Sequence, residues 1–329
     1  MQRISVDESW FEGAVSFEKG NGWTKPWRLV HEKLPLYWPE GFVQRAEHST
    51  GVRLRFRTGA SQVGVRVRPF AEPRRFDLVI EGELPATVKV EPEGCEAEFP
   101  SLPAGAKTVD LWLPADHPTV VEALLADADA RPAVADDGRP KWVTYGSSIT
   151  QCRSAHSPAR TWPATAARMR GLNLTSLGYG GQCHLDQAVA RIIRDASADV
   201  ISLKLGINMH GGSVGQRAFL PAVIGFILTV RDGHPVTPLA IVSPIFSPPR
   251  ERTPGGGGLT LEMMRGHLED AVERLKACGD GNIRYFDGRE LFGEDLVDPH
   301  MPDQLHPDGD GYEIIGRRFA EKVLPAMGF

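Results

Sequence analysis

The sequence has no run of apolar residues long enough to span a bilayer, and Met1–Trp10 has no apolar core of signal-peptide length. We therefore expect a cytoplasmic protein without a membrane partner. Lys and Arg number 37 against 42 Asp and Glu, so the basic excess of a nucleic-acid-binding surface is also missing. The cysteines are scattered and form no C-x-x-C pair, which argues against structural zinc and against a disulfide framework. They are Cys95, Cys152, Cys183 and Cys278.

The 329 residues are 41% hydrophobic and 24% charged, which is ordinary for a globular chain of about two domains. From Gly41 to Leu113, hydrophobic residues alternate with polar ones in five short runs separated by turn residues. This pattern predicts an antiparallel β-sandwich or jelly roll with one buried face. The predicted strands are Val52–Phe56, Val63–Val67, Phe76–Ile80, Thr87–Val90 and Val109–Leu113. The arginines of the run Arg53–Arg57 are expected on the solvent face of their strand.

The stretch Ala126–Pro140 is small, acidic and proline-containing, and it is interpreted as an interdomain linker. The predicted division is therefore a β-sandwich domain with linker over 1–137 and a second domain over 138–329.

In the second domain, short apolar runs alternate with segments of helical spacing, which predicts a parallel sheet with helices on both faces. The strands are expected at Trp142–Tyr145, Leu172–Leu177, Val200–Leu205, Leu239–Ser243 and Ile283–Phe286. The helices are expected at Trp162–Arg170, Leu185–Asp195, Arg217–Arg231, Leu259–Cys278 and Tyr312–Met327. Sites in such folds lie beyond the carboxyl ends of the strands.

Residues suited to acyl transfer follow these strand ends. The first strand ends in Gly146-Ser147-Ser148, the second in a glycine turn that includes Gly181, and the third is followed by Asn208. Asp303 and His306 precede the last helix. A serine attacks a carbonyl, a histidine takes its proton, an aspartate orients the histidine, and N–H groups hold the oxyanion.

These segments resemble the ordered motif blocks of the SGNH (GDSL-like) hydrolases, which are G-D-S, a glycine, G-x-N-D and D-x-x-H. The resemblance extends from Trp142 to His306 and includes Trp162-Pro163 after the first block. It implies a flavodoxin-like three-layer sandwich with about five parallel strands. The preceding β domain resembles, in architecture only, the jelly roll that precedes the catalytic domain of family 2 carbohydrate esterases.

The resemblance also implies the role of each site residue. Ser148 would be the nucleophile, His306 the base and Asp303 its orienter. The N–H groups of Ser148 and Gly181, with Nδ2 of Asn208, would form the oxyanion hole. For the glycine, Gly178 and Gly180 are adjacent alternatives. The family's usual Asp, Asp and Asn are replaced here by Ser147, Met209 and Ser176.

The predicted function is therefore a serine esterase without cofactor or metal, acting on short acyl esters, above all O-acetyl groups, of a carbohydrate or glycosylated small molecule. One alternative is a carbohydrate-binding protein with a degenerate hydrolase domain. Another is an α/β-hydrolase-type esterase using Ser213, which lies in the literal G-x-S-x-G of Gly211–Gly215. That serine follows Leu205 by eight residues, whereas an elbow serine comes directly after its strand.

Several nearby residues carry a simpler expectation. Cys152 and Cys183 are expected to be buried apolar fillers. The loop histidines His156, His184 and His210 are expected to be solvated. The glycine-rich segment 248–258 is either a surface loop or a substrate-facing flap. In a flap, Arg250 or Arg252 could meet an anionic group.

Overall fold

The computed structural model describes residues 1–329, and the first part of the chain is built from short strands. The strands are β1 Gln2–Ile4, β2 Phe11–Glu12, β3 Ser16–Gly20, β4 Trp23–Trp27, β5 Arg53–Thr58, β6 Val63–Val67, β7 Arg74–Ile80, β8 Glu83–Val90, β9 Glu96–Phe99, β10 Lys107–Trp112, β11 Val121–Ala126 and β12 Ala133–Val134, and the α-helix is α1 Glu40–Glu47.

These strands form two antiparallel sheets. One has the order β3-β4-β11-β6-β9, with β1 on β11, and the other has the order β12-β5-β10-β7-β8, with β2 on β5. Along each strand the hydrophobic residues alternate with polar ones and point into the space between the two sheets. Leu54, Phe56, Val65 and Val109 are fully buried there in one cluster. The predicted antiparallel β-sandwich is confirmed.

The segment interpreted as a linker is attached to the sandwich along its length. Ala133 and Val134 pair with β5 as an edge strand. The Gln2 side chain donates to the carbonyls of Asp127, at 3.1 Å, and Ala130, at 2.7 Å. The segment therefore adds a strand to the fold instead of forming a free tether.

The second part of the chain alternates strands and helices. The strands are β13 Lys141–Gly146, β14 Asn173–Gly178, β15 Val200–Lys204, β16 Leu239–Val242 and β17 Ile283–Phe286. The helices are α2 Ser148–Gln151, α3 Trp162–Arg170, α4 Gln187–Asp195, α5 Gln216–Arg231, α6 Leu261–Ala277, α7 Val297–His300, α8 Gly309–Arg318 and α9 Leu324–Ala326. A π-helical turn, Phe319–Val323, joins α8 to α9. No helix has the length and apolar character needed to cross a membrane.

The five strands are parallel and lie in the order β14-β13-β15-β16-β17. This is the flavodoxin-like order, and it reverses direction at β13. One face of the sheet packs against α4, α5 and α6, and the other packs against α3, α8 and the C-terminal helical turns. The predicted three-layer sandwich is confirmed.

The edge strand β14 is covered by arginine side chains of the sandwich. Its outward carbonyls are those of Leu174, Ser176 and Gly178. Arg53 Nη1 donates to the first at 3.0 Å, and Arg28 Nη1 donates to the other two at 3.2 and 2.5 Å. Both guanidinium groups are buried. The prediction of a solvent-facing arginine run is therefore wrong for Arg53, because its guanidinium replaces hydrogen bonds that a further strand would supply.

Candidate active site

A tight turn at the end of β13 places Ser148 at the carboxyl edge of the sheet. Ser147 is the N-cap of α2, and its Oγ accepts from the N–H of Ile149 at 3.3 Å. Ser147 is buried, whereas Ser148 is partly exposed toward solvent. The two adjacent serines therefore have different environments, and only Ser148 faces the histidine.

Ser148, His306 and Asp303 form a continuous chain of hydrogen bonds. Ser148 Oγ lies 2.9 Å from His306 Nε2, and His306 Nδ1 lies 2.7 Å from Asp303 Oδ2. Asp303 Oδ1 accepts from the backbone N–H groups of Leu305 and His306, at 3.0 and 2.6 Å. Burial raises the pKa of Asp303, but the hydrogen bonds from the backbone and ring of His306 outweigh it and lower the pKa below its ordinary value. The charged carboxylate can therefore orient the imidazole.

The turn between Asp303 and His306 is held by hydrogen bonds from residues that follow β16. Gln304 has a φ of 57°, and its carbonyl accepts from Ser247 Oγ at 2.7 Å and from Arg250 Nη1 at 3.2 Å. Arg252 pairs with Glu262 at 2.9 Å. These two arginines are thus engaged within the chain. The expectation that they meet a substrate anion is not supported.

The glycine-rich segment 248–258 packs against the loop that precedes α5. Gly256 N–H donates to His210 O, and Gln216 N–H donates to Gly257 O, both at 3.1 Å. No residue of this segment lines the cleft around Ser148. Of the two interpretations of the segment, the structure favours a packed surface loop over a flap.

Three N–H groups beside Ser148 have no acceptor in the chain. They are the backbone N–H groups of Ser148 and Gly181 and the Nδ2 of Asn208. Asn208 Oδ1 accepts from Cys183 N–H at 2.9 Å, which leaves its amide nitrogen available. Gly180 N–H, in contrast, donates to Gln151 Oε1 at 2.8 Å. Gly178 lies in β14 and does not line the cleft, so Gly181 is the adjacent glycine that offers a free N–H donor to the cleft.

The serine and histidine open into a cleft of about 570 Å³ between the two parts of the chain. Two of its lining residues, Arg45 and Asp116, come from the β-sandwich part, and Arg153 comes from the turn after α2. These three residues were not predicted from the sequence, because they lie outside the motif blocks and no local pattern marks them. The lining is completed by Ser154, Gly180, Gly181, Asn208, Leu305 and Tyr312.

A second crevice, of about 520 Å³, lies between the sandwich and the β14–α4 edge of the sheet. Its lining is mostly apolar and includes Phe11, Phe17, Leu36, Tyr37 and Ile192. It contains none of Ser148, Asp303 and His306, so the candidate active site is the cleft around Ser148.

Ser213 lies between a 3-10 helix, Ile207–Gly211, and α5, and it is not at a strand end. Its Oγ contacts His184 Nδ1 at 2.7 Å, so it is paired away from His306. The G-x-S-x-G segment therefore lacks the strand-to-helix elbow that the α/β-hydrolase interpretation requires, and that interpretation is wrong.

The remaining expectations concern residues near the site. Cys152 and Cys183 are buried, as expected, and burial raises the pKa of Cys183 to about 12, so its thiol stays protonated. His156, His184 and His210 are exposed or partly exposed, and each is hydrogen-bonded within the chain.

The model of the GDSL-like Lipase/Acylhydrolase family matches residues 140–326, which is more than half of the chain and includes Ser148, Asp303 and His306. The chain belongs to this family. A model of the SsfX3 N-terminal domain matches residues 9–122. No curated protein sequence matches the chain.

Solved structures extend the similarity of this GDSL-like protein over its full length. A salicylyl-acyltransferase, SsfX3, from a tetracycline biosynthetic pathway is 34% identical, with a TM-score of 0.91 over 99% of this chain and 97% of that one. A putative GDSL-like lipase from Bacteroides ovatus is 21% identical, with a TM-score of 0.75 over 97% and 94%. A family two carbohydrate esterase from Clostridium thermocellum is 15% identical, with a TM-score of 0.68 over 85% and 94%. The last two show a shared fold.

Proposed function

We propose that this GDSL-like acylhydrolase is a serine esterase in which Ser148 is the nucleophile, His306 the general base and Asp303 its orienting partner. The observation that carries the proposal is the Ser148–His306–Asp303 chain of hydrogen bonds, at 2.9 and 2.7 Å, which opens into a cleft with three unused N–H donors. No other serine of the chain combines these features.

In the proposed mechanism, Ser148 Oγ attacks the ester carbonyl carbon while His306 Nε2 takes the hydroxyl proton. The carbonyl oxygen becomes an oxyanion, which accepts from the N–H groups of Ser148 and Gly181 and from Asn208 Nδ2. The C–O bond then breaks, and the protonated His306 gives its proton to the leaving alcohol. Water repeats these steps on the acyl-enzyme and releases the acid.

The proposed substrates are short acyl esters, particularly O-acetyl esters of a carbohydrate or glycosylated small molecule. The fold shared with family two carbohydrate esterases supports the carbohydrate portion. The cleft volume of about 570 Å³ suits a small polar molecule.

Acyl transfer to an alcohol is the second candidate, because the 34% identical relative is a salicylyl-acyltransferase. An alcohol would then take the place of water in the second half of the reaction. The side chains of His306 and Asp303 are 33% and 54% exposed, which lets water reach the base and favours hydrolysis. The ratio of acid to new ester formed in the presence of an added alcohol separates the two reactions.

The nucleophile assignment is tested with p-nitrophenyl acetate. Ser148→Ala is expected to lower kcat by about 10⁴ or more, the scale of a lost triad nucleophile. Ser147→Ala is expected to cost far less, because this side chain only caps α2, and Ser213→Ala is expected to leave kcat unchanged. A fluorophosphonate probe followed by peptide mass spectrometry should place the adduct on Ser148. An adduct on Ser147 or Ser213 contradicts the assignment, and a wild-type protein that binds sugars but cleaves no ester favours the carbohydrate-binding alternative.

A further inference from the structure

Two arginines of the cleft have guanidinium groups without any partner in the chain. Arg45 belongs to α1 of the sandwich part, and Arg153 follows the nucleophile helix α2. Neither side chain makes a hydrogen bond or an ion pair within the chain, whereas the buried Arg28 and Arg53 use theirs on backbone and side-chain oxygens. An arginine left free in a cleft is available to a ligand.

Arg45 lies directly beside the oxyanion turn. Its Nε and Cδ are 3.7 Å from the point that a Cβ on Gly180 would occupy. Gly180 precedes Gly181, the glycine whose N–H is free. A group bound to Arg45 would therefore sit next to the reacting carbonyl and belong to the same substrate molecule.

The positive charge of these two arginines is only partly offset by the rest of the cleft. Burial, followed by the charge of Arg153, lowers the pKa of Arg45, so the two cations are near enough to repel each other. The buried His48 is affected by the same positive charges. Burial, together with the charges of Arg28, Arg45 and Arg153, lowers its pKa to about 3. Asp116 is the one acidic side chain that lines the cleft, and its Oδ1 is engaged by His117 Nδ1 at 2.7 Å. Burial raises the pKa of Asp116, but the hydrogen bond and charge of His117, with a smaller contribution from the charge of Arg153, lower it below its ordinary value. One carboxylate thus stands against two arginines.

We propose that Arg45 and Arg153 form an anion subsite that binds a carboxylate or phosphate group carried by the ester substrate. Guanidinium groups suit this role because their planar donors match both anions, and a bound anion would relieve the repulsion between the two cations. This inference rests on the proposed esterase function and narrows its substrate class. The preferred ester carries its negative charge either on the alcohol or on the acyl part, close to the scissile bond.

Two matched pairs of esters test the subsite and distinguish the two positions of the charge. On the alcohol side, 4-acetoxybenzoate is compared with its methyl ester. On the acyl side, p-nitrophenyl hydrogen succinate is compared with p-nitrophenyl methyl succinate. The measured quantity is the ratio of kcat/KM for the charged ester to that for the neutral one. In the wild type at low salt, we expect one pair to show a ratio of about ten or more, falling as salt is added.

Arg45→Gln and Arg153→Gln should each lower this ratio severalfold, and Arg153→Lys should retain more of it than Arg153→Gln. Arg57→Gln is the matched control, because Arg57 is an exposed arginine of the sandwich that does not line the cleft, and it should leave the ratio unchanged. A ratio near one for both pairs in the wild type, or a ratio that survives both Gln variants, overturns the subsite.

Failure of the esterase proposal gives a different result, since the wild type would then cleave neither the charged nor the neutral esters. Binding decides the subsite in that case. Calorimetry with Ser148→Ala protein should show 4-acetoxybenzoate or p-nitrophenyl hydrogen succinate binding at least severalfold more tightly than its neutral methyl ester. In the double variant that carries both Ser148→Ala and Arg153→Gln, the charged and the neutral ester should bind equally. Equal binding of charged and neutral partners in both pairs overturns the subsite.

Discussion

At the scale of single residues, the two members of the Asp303–His306 pair have unequal roles. In the proposed mechanism His306 takes the proton, whereas Asp303 acts through His306. Asp303 Oδ2 contacts the ring, and Oδ1 accepts from two backbone N–H groups. An asparagine at position 303 can still accept from the backbone and hold the turn. It would lose the negative charge that stabilises the imidazolium and fixes its tautomer.

We therefore expect the activity of Asp303→Asn to be roughly tenfold or more above that of His306→Ala. In Asp303→Asn a base still finds its reactive tautomer part of the time, whereas in His306→Ala the Ser148 hydroxyl has no base. Initial rates with p-nitrophenyl acetate measure both, and circular dichroism checks that both variants are folded. Greater damage from Asp303→Asn would mean that the roles of the pair are wrongly assigned.

The carboxyl ends of parallel strands share one edge of a sheet, which predicted that Ser148, the glycine turn and Asn208 lie together. That Asp303 and His306 join them from the turn before the last long helix was implied by the resemblance to the SGNH hydrolases. Sequence order left the choice among the adjacent glycines open. That choice depends on a side chain outside the motif, since Gln151 occupies the N–H of Gly180 and leaves that of Gly181 free.

At the scale of elements, the short helix α2 connects the sandwich to the oxyanion turn. Gln151 is its last residue and is buried. Its Oε1 accepts from Gly180 N–H at 2.8 Å, and its Nε2 lies 2.9 Å from Nδ1 of His48 in the sandwich part. The amide therefore holds the glycine turn from behind without touching the reacting atoms. We therefore expect Gln151 to act as a positioning residue.

Gln151→Met removes the acceptor of Gly180 N–H, and it is expected to lower kcat by about tenfold to a hundredfold with little change in KM. The reason is that a loosened turn weakens a donor used only in the transition state. Gln151→Glu keeps an acceptor oxygen and should retain more of kcat. Gln44→Met, on the exposed face of α1, is the control. A loss confined to KM would contradict the positioning role.

The same contact is expected to make the interface between the sandwich and the parallel sheet sensitive to acid. Burial, with the charges of Arg28, Arg45 and Arg153, lowers the pKa of His48 to about 3, and the nearby Asp116 opposes the shift only weakly. The unfolded chain has a histidine pKa near 6.5, so between these values it binds more protons than the folded chain. The stability that neutral His48 contributes is fully present above about pH 6.5 and is lost as the pH falls toward 3.

Urea unfolding at pH 7.0 and 4.5 should therefore show a larger loss of stability on acidification in the wild type than in His48→Gln, which has no titrating group at this position. The comparison uses the change between the two pH values, because the substitution alone also alters the stability at pH 7. An identical loss in both proteins would show that other groups govern acid sensitivity.

Elements with strong periodicity were predicted well, and weakly patterned ones were missed. The predicted α3 and β17 have the observed bounds, and β6 does as well. The strands before residue 40 were not predicted, because they are two to five residues long and contain glycine, proline or partly exposed residues. The segment after Ala126 resembled a linker in composition, and only its pairing with β5 makes it a strand.

At the scale of the whole molecule, the sandwich part contributes residues both to the core beside the parallel sheet and to the cleft around Ser148. The hydrophobic cluster on one face of the parallel sheet includes Leu29, Phe42 and Ala46 of the sandwich part, all fully buried. Arg45 and Asp116 form part of the cleft wall. Motif order alone could not predict this arrangement, because neither the two residues of the cleft wall nor these apolar residues belong to a motif block.

A fragment of residues 141–329 would expose this apolar face and the outward carbonyls of β14. We expect it to be insoluble, or to have reduced stability and weakened ester cleavage, because its edge strand would lose the guanidinium donors of Arg28 and Arg53. Expression, urea unfolding and p-nitrophenyl acetate assays measure this. A soluble fragment with full activity, selectivity and an unchanged unfolding midpoint would refute the structural role of the sandwich.

A point substitution in the intact chain separates this contact from the general effect of truncation. Arg28 donates to the carbonyls of His48, Ser176 and Gly178, and these groups lie where water cannot replace it. Burial lowers its pKa to about 10, so the group remains charged at neutral pH. Arg28→Met should cost about 2–5 kcal/mol of unfolding free energy, because several buried acceptors lose their donor together. Arg57→Met, on an exposed position of β5, should change stability by less than about 0.5 kcal/mol. Equal effects of the two substitutions in urea unfolding would show that the guanidinium bonds across β14 add nothing beyond ordinary surface packing.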